Sequence, residues 1–234
     1  MRSCQPSARV RFRAWCAKSN SALCSCNGSG AAHVAAPLHL RTRVQLCAIM
    51  SRPDRIEGLA IVSADGMIAN ASGIQPDELK LEADQKFFHA MLDEATALVH
   101  GRNSGEGGPH MARRRRLILT RTVVGVARDP QTDRAVHWNP AGATLEQAWR
   151  ALGLSGGLLA VIGGTDPFGL FLDIGYDAFH LSRASRSELP GGRPVFPGVP
   201  ARAPEVLLAQ RGLTPGSVQV LDESAGLAMV TWRR

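Results

Sequence analysis

The residues best placed to do chemistry stand at the ends of short apolar runs. The run 158–162 closes in Gly163-Gly164-Thr165 and is followed at once by a helical segment, residues 166–172. A glycine pair at such a junction lets backbone N–H groups and a helix N-terminus face an anion, most simply a nucleotide phosphate. Plain loop geometry accounts for the same pair when it is taken alone. Ala97-Leu98-Val99-His100 runs in the same way into Gly101-Arg102-Asn103-Ser104, and Leu117-Ile118-Leu119 ends in Thr120-Arg121. Arg102 offers fixed positive charge and a planar fork of donors. Three strand ends carrying Gly, Arg, Ser or Thr point to one dinucleotide lying across the carboxyl edge of a sheet.

Those ends need elements to hold them. Residues 56–62 read as a first strand, Ala64-Asp65-Gly66 as an Asp-Gly turn, and Met67-Ile68-Ala69 as a further extended piece. Residues 70–76 form a polar loop without periodicity. The pattern over 77–92 is helical, with Leu81, Phe88 and Leu92 sharing a face and Lys80, Gln85 and Lys86 turned outward. A short helix is expected over 144–152 with Thr144 as N-cap, and a strand over 178–183. Residues 190–204 are rich in Pro and Gly and are expected as loop. Residues 218–221 and 228–232 then form a closing hairpin. Strands alternating with helices, ending in a hairpin, predict an α/β fold whose mixed sheet is mainly parallel with an antiparallel edge. The run Arg113-Arg114-Arg115-Arg116 is read as a solvated surface or as an anchor for a carboxylate or phosphate.

Composition divides the chain at Met50. All five cysteines (Cys4, Cys16, Cys24, Cys26 and Cys47) precede it, and the first 49 residues hold seven Arg or Lys and no Asp or Glu. The 20 basic residues that remain are matched by 20 acidic ones, so the formal charge of +7 belongs to the leader. This removes the charge argument for nucleic-acid binding by the body. Residues 1–49 read as a disordered leader of three possible kinds: an upstream stretch joined to the gene with Met50 the real start, a transit-like segment, or a tail with loose metal affinity through Cys24-Ser25-Cys26. Residues 50–234 are expected as one domain. Its freedom from cysteine suits a reducing cytoplasm. No stretch reaches the ~18 apolar residues of a membrane span. The histidines of the body show no metal-ligand spacing, and no Gly-x-Ser-x-Gly elbow appears.

The order of these motifs resembles the dihydrofolate reductase superfamily, which includes the reductase domain of riboflavin biosynthesis. The likeness covers residues 56–234. It is carried by residues 60–69, by the segment Leu81-Glu82-Ala83-Asp84-Gln85-Lys86-Phe87-Phe88, and by Gly101-Arg102-Asn103-Ser104. Leu117-Ile118-Leu119-Thr120-Arg121, Val161-Ile162-Gly163-Gly164 with Phe168, and His180-Leu181-Ser182-Arg183 complete it. The resemblance implies a three-layer fold, with helices on both faces of the sheet and a C-terminal antiparallel hairpin.

It also implies roles. NADPH would lie across the carboxyl edge, with Gly101, Arg102, Asn103 and Ser104 at its adenosine side and Thr120 and Arg121 beside them. Arg102 and Arg121 suit the 2′-phosphate. Gly163, Gly164 and Thr165 would meet the pyrophosphate, with Ile162 and Phe168 also among the cofactor-binding residues. Asp84 would be the acid that promotes protonation of a pterin, Ser182 the hydroxyl beside it, and Ile61 and Phe88 the walls that sandwich the ring. Burial is expected to raise the pKa of Asp84.

The substrate implied is a pterin, foremost dihydrofolate. A ribosylaminopyrimidine phosphate is the alternative, with its phosphate held by Arg114 and its neighbours or by His89. Leu79 and Glu82 stand where bacterial folate reductases usually carry Trp and Pro, and Met67 stands where the riboflavin relatives commonly carry Lys. A third reading is an NADPH-binding module without turnover, in which Asp84 is dispensable. The expected partners are a small-molecule substrate and, at most, a second copy of the chain, with neither nucleic acid nor membrane.

Overall fold

Apolar alternation decides which strands lie at the centre. In the strand Leu158–Gly163, Leu159 and Val161 enter one core cluster while Ala160 and Ile162 enter another, so both of its faces are covered. The computed structural model describes residues 51–104 and 109–234. Residues 1–50, which include the expected leader with its cysteines, and residues 105–108 lie outside the described residues.

In chain order the elements begin with β1 (Arg55–Ser63), β2 (Met67–Ala69), a single 3₁₀ turn (Asp77–Leu79), α1 (Glu82–Glu94) and β3 (Ala97–Gly101). Next come α2 (Pro109–Ala112), β4 (Arg116–Leu119), β5 (Val126–Arg128), β6 (Ala135–Trp138) and α3 (Leu145–Ala151). The chain continues through β7 (Leu158–Gly163), α4 (Thr165–Ile174), β8 (Ala178–Ala184), β9 (Arg193–Pro194) and α5 (Pro204–Gln210). The hairpin of β10 (Thr214–Asp222) and β11 (Leu227–Arg233) ends it.

Among the described residues the main sheet has nine strands in the order β10-β11-β8-β1-β7-β3-β4-β6-β5. The six from β8 to β6 are parallel, and the hairpin joins β8 antiparallel, as the alternation of elements predicts. A second antiparallel pair, β5 with β6, closes the far edge. Helix α1 covers Leu59, Leu98, Ala160 and Ile162 on one face. Trp149 of α3, Phe168 and Phe171 of α4, and Leu207 and Leu208 of α5 cover Leu159, Val161, Phe179 and Leu181 on the other, giving three layers. No helix among the described residues is long and apolar enough to cross a membrane.

Three local departures from the sequence expectation have plain causes. The helix expected over 77–92 is split at Lys80 and Leu81. In an unbroken helix Leu79 and Asp84 would point about 140° apart. The break lets Leu79 pack on Ile61, Ala184 and Leu227 while Asp84 also turns inward. The 190–204 loop contains β9, too short to show a period, and α5 begins at its end with Pro204 in the first turn. The three- and four-residue strands β5 and β6 likewise fall below the length at which alternation is readable. Thr144 does cap α3: its Oγ1 accepts from Gln147 N at 3.3 Å while Gln147 Oε1 accepts from Thr144 N at 2.8 Å.

Candidate active site

Because β8, β1, β7, β3, β4 and β6 run parallel, their carboxyl ends meet along one edge of the sheet. A cleft of about 1030 Å³ opens there. It lies at the ends of the neighbouring strands β1 and β7, whose crossovers run through α1 and α4 on opposite faces of the sheet toward opposite edges, the kind of crevice in which open α/β sheets bind ligands. A register shift between β3 and β7, where Val99 faces Val161 but His100 faces Gly163, loosens the strand ends at the cleft.

Two glycine turns meet in its wall. Gly164 has φ 84°, a backbone that glycine adopts freely, and a Cβ there would stand 3.1 Å from both Ser104 Oγ and Pro167 Cδ. A Cβ on Gly101 would stand 3.4 Å from the same Ser104 oxygen. The turn after β3 and the turn after β7, some sixty positions apart in sequence, are thus packed on one another through Ser104. α4 starts at Thr165, and its first residues, Thr165, Asp166 and Pro167, line the cleft. Arg102 and Arg121 line the cleft from the ends of β3 and β4, and neither guanidinium has a hydrogen bond or ion pair among the described residues. Thr120 is buried, its Oγ1 2.9 Å from the Thr122 hydroxyl.

At the opposite end Asp84 lies in the first turn of α1 and is 9% exposed. Burial pushes its carboxyl above the ordinary aspartate range, and a hydrogen bond with Ser182 of β8 draws it part of the way back. Ile61, Phe87, Phe88 and Leu79 supply apolar walls around it. The arrangement sets a carboxyl group whose burial favours its protonated form beside apolar walls.

All but one of the residues expected at the site line this single cleft: Ile61, Asp84, Phe88, Gly101, Arg102, Asn103, Ser104, Thr120, Arg121, Ile162, Gly163, Gly164, Thr165, Phe168 and Ser182. Phe168 is almost wholly buried and packs edge-on against Phe179 and Phe196, so it supports the wall more than it faces the opening. Arg114 is a correction. It does not line the cleft; its guanidinium hydrogen-bonds the Leu92 carbonyl and the Asp93 carboxylate near the end of α1. The last turn of α1 leaves carbonyls without helical partners, and Arg114 satisfies one of them. Arg115 is also engaged in the scaffold, donating to the Leu152 carbonyl at 3.0 Å.

No family model matches the sequence, and no curated protein matches it. Solved structures do match. A protein described as belonging to riboflavin biosynthesis in Shewanella sp. PV-4 superimposes with a TM-score of 0.54 at 20% identity, over 77% of this chain and 98% of that one. The dihydrofolate reductase of Enterococcus faecalis, solved with NADP(H) and RAB-propyl, superimposes with a TM-score of 0.50 at 18% identity, over 79% of this chain and 97% of its own. The fold is dihydrofolate reductase-like. A third protein with this dihydrofolate reductase-like fold is the diaminohydroxyphosphoribosylaminopyrimidine deaminase/5-amino-6-(5-phosphoribosylamino)uracil reductase of Thermotoga maritima, with a TM-score of 0.52 at 17% identity. The likeness spans 78% of this chain but 56% of that longer one.

Several lining residues of the cleft escaped the sequence reading. His180 stands between Glu57 and Thr231: its Nε2 donates to Glu57 Oε2 at 3.1 Å, and its Nδ1 lies 3.1 Å from Thr231 Oγ1. The Phe87 ring packs on it at 5.2 Å. His180 and Arg55 hold the buried Glu57 carboxylate below its usual range against the opposing effect of burial. Asn139 and Arg193 also line the cleft. Period-2 spacing places His180 on the Ser182 face of β8. Nothing local marks Arg193, whose position depends on the pairing of β9 with β2.

Proposed function

We propose that this chain is an NADPH-dependent reductase that adds hydride to a C=N bond of a pterin, foremost dihydrofolate. One observation carries the reading: a single cleft holds the buried Asp84–Ser182 pair at one end and the joined turns Gly101–Ser104 and Gly163–Thr165 at the other. The nearly side-chain-free wall at Gly163 and Gly164, with unpaired Arg102 and Arg121 beside it, suits a dinucleotide bearing an extra phosphate.

When bound, NADPH would supply the hydride that reduces the carbon of the C=N bond. Gly163, Gly164 and Thr165 hold the pyrophosphate side, while Gly101, Arg102, Asn103, Ser104, Thr120 and Arg121 hold the adenosine side with its 2′-phosphate. Ile61 and Phe88 orient the substrate ring and exclude water. The protonated Asp84 carboxyl furnishes the proton for the ring nitrogen and is recharged from solvent, and Ser182 keeps the carboxyl aimed. A body without cysteine, acting on small soluble metabolites, suits the cytoplasm.

A second reading keeps the fold and cofactor and takes a ribosylaminopyrimidine phosphate. The descriptions of the Shewanella neighbour, a riboflavin biosynthesis protein, and of the Thermotoga neighbour, a 5-amino-6-(5-phosphoribosylamino)uracil reductase, favour it. With Arg114 and Arg115 held by the scaffold, the substrate phosphate would fall to His89 at the cleft rim. The deciding experiment is oxidation of NADPH by the chain with dihydrofolate, followed in the absorbance of the reduced nicotinamide. Turnover that disappears in Asp84→Asn supports the pterin reductase. Binding of NADPH without turnover of dihydrofolate excludes it and moves the assignment to the riboflavin precursor.

A further inference from the structure

Two charged residues of the cleft, Asp166 and Arg193, have no role in the account above, and Arg193 is the cation of the two. Arg193 opens β9, and its guanidinium lines the cleft, exposed and without hydrogen bond or ion pair among the described residues. Its backbone, by contrast, is held from three sides. Ala69 and Met67 of β2 pair with Arg193 and Pro194. Val195 N donates to the Gly66 carbonyl at 3.1 Å. The hydroxyl of Thr165, the first residue of α4, donates to the Pro194 carbonyl at 2.5 Å.

The last bond matters most. It ties the residue next to Arg193 directly to the Gly163-Gly164-Thr165 turn, so the β2–β9 ribbon cannot shift without moving against the start of α4. On its other side the Arg193 Nε lies 3.8 Å from where a Cβ of Gly73 would stand, so the side chain runs beside the 70–76 loop. Arg102 and Arg121 reach the cleft from the ends of β3 and β4, whereas Arg193 reaches it from the ribbon.

We infer that Arg193 is a phosphate-binding residue, clamping the pyrophosphate of the nicotinamide cofactor against the Gly163-Gly164-Thr165 turn from the ribbon side. The inference rests on the reading of the cleft as an NADPH site. An anion on that turn meets backbone N–H groups and the positive end of α4 on one side. A guanidinium on the other supplies two parallel charge-assisted donors, the geometry that matches a phosphate edge. The division of labour follows from position. Arg102 and Arg121 answer the phosphate that distinguishes NADPH from NADH, and Arg193 answers the pyrophosphate that both share.

The test is calorimetric titration of the full chain, wild type and Arg193→Ala, with NADPH and separately with NADH. Loss of a charge-assisted bond predicts binding weakened about 10- to 100-fold, by the same factor for both nucleotides, with Arg193→Lys recovering part of the loss. Unchanged affinity for both nucleotides overturns the inference. So does a loss confined to NADPH, which would make Arg193 a reader of the 2′-phosphate. Unchanged cofactor affinity with a raised KM for substrate would assign Arg193 to a substrate anion and overturns it as well. If the wild type binds neither nucleotide, the NADPH reading itself fails before any variant is compared. Arg193→Gln, which keeps much of the side-chain length, decides the matter if the alanine variant does not fold.

Discussion

Ser182 on β8 hydrogen-bonds the carboxyl of Asp84 in the first turn of α1, joining two residues almost one hundred positions apart at the floor of the cleft. Desolvation raises the Asp84 pKa, and the Ser182 bond offsets part of that rise. Removing the ionisable group should therefore separate chemistry from binding. Asp84→Asn is expected to lower kcat by roughly 10²- to 10⁴-fold and to leave NADPH affinity near that of the wild type, read by steady-state kinetics beside calorimetric titration.

The same shift fixes a sign for pH. A carboxyl whose folded pKa lies above its unfolded value binds its proton more tightly in the folded state, so it costs stability above the folded pKa and that cost disappears as pH falls through it. Asp84→Asn should then be more stable than the wild type at neutral pH, with the difference shrinking in acid. Turnover should decline as pH rises through the raised Asp84 pKa. Thermal unfolding and pH–rate profiles of the two proteins check both.

Glu57 behaves oppositely. Its folded pKa is depressed, chiefly by the bond from His180, so its contribution to stability is present above the unfolded carboxylate pKa and is lost as pH falls through the folded one. His180→Ala leaves a buried carboxylate with Arg55 as its remaining ion-pair partner and removes the ring on which Phe87 rests. A loss of about 3 kcal/mol is expected, by analogy with broken buried ion pairs, in denaturant unfolding at neutral pH.

At the turn after β7, Gly164→Ala brings a methyl group to 3.1 Å from Ser104 Oγ and Pro167 Cδ at φ 84°. Backbone strain of that kind costs of order 1–3 kcal/mol. NADPH binding should fall along with stability, since the turn after β3 must move as well. By contrast Gly73→Ala also carries a positive φ, but its new Cβ would meet one atom at 3.8 Å, so the comparison isolates the crowding at Gly164.

Arg114 and the pair Arg102 and Arg121 should separate cleanly in a kinetic screen. Arg114→Ala is expected to leave the KM for substrate unchanged and to lower the melting temperature, because its partners are Leu92 and Asp93 near the helix end. Arg102→Ala and Arg121→Ala should each reduce the preference for NADPH over NADH while leaving NADH affinity in place. Parallel titrations with the two nucleotides measure the ratio.

The local periodicities were enough to place the strands now seen as β1, β3, β4, β7, β8 and the closing hairpin, because burial on one or both faces imposes a period that survives in the sequence. The Gly101 and Gly163–Gly164 turns were equally readable, since close backbone approach leaves few residue types to choose from. What sequence alone could not carry was anything decided by partners remote along the chain. Arg114 sits in a conspicuous cationic run, yet helix-end carbonyls of α1 claim it. His180 looks like one strand residue among others until β1 and β11 bring Glu57 and Thr231 to its two ring nitrogens. Arg193 lies in a Pro- and Gly-rich stretch with no period at all, and enters the cleft because β9 pairs with β2 and its next residue accepts a bond from Thr165. Patterns of period two and period 3.6 record which face of an element is buried; which side chain another element captures is recorded only in the tertiary contacts.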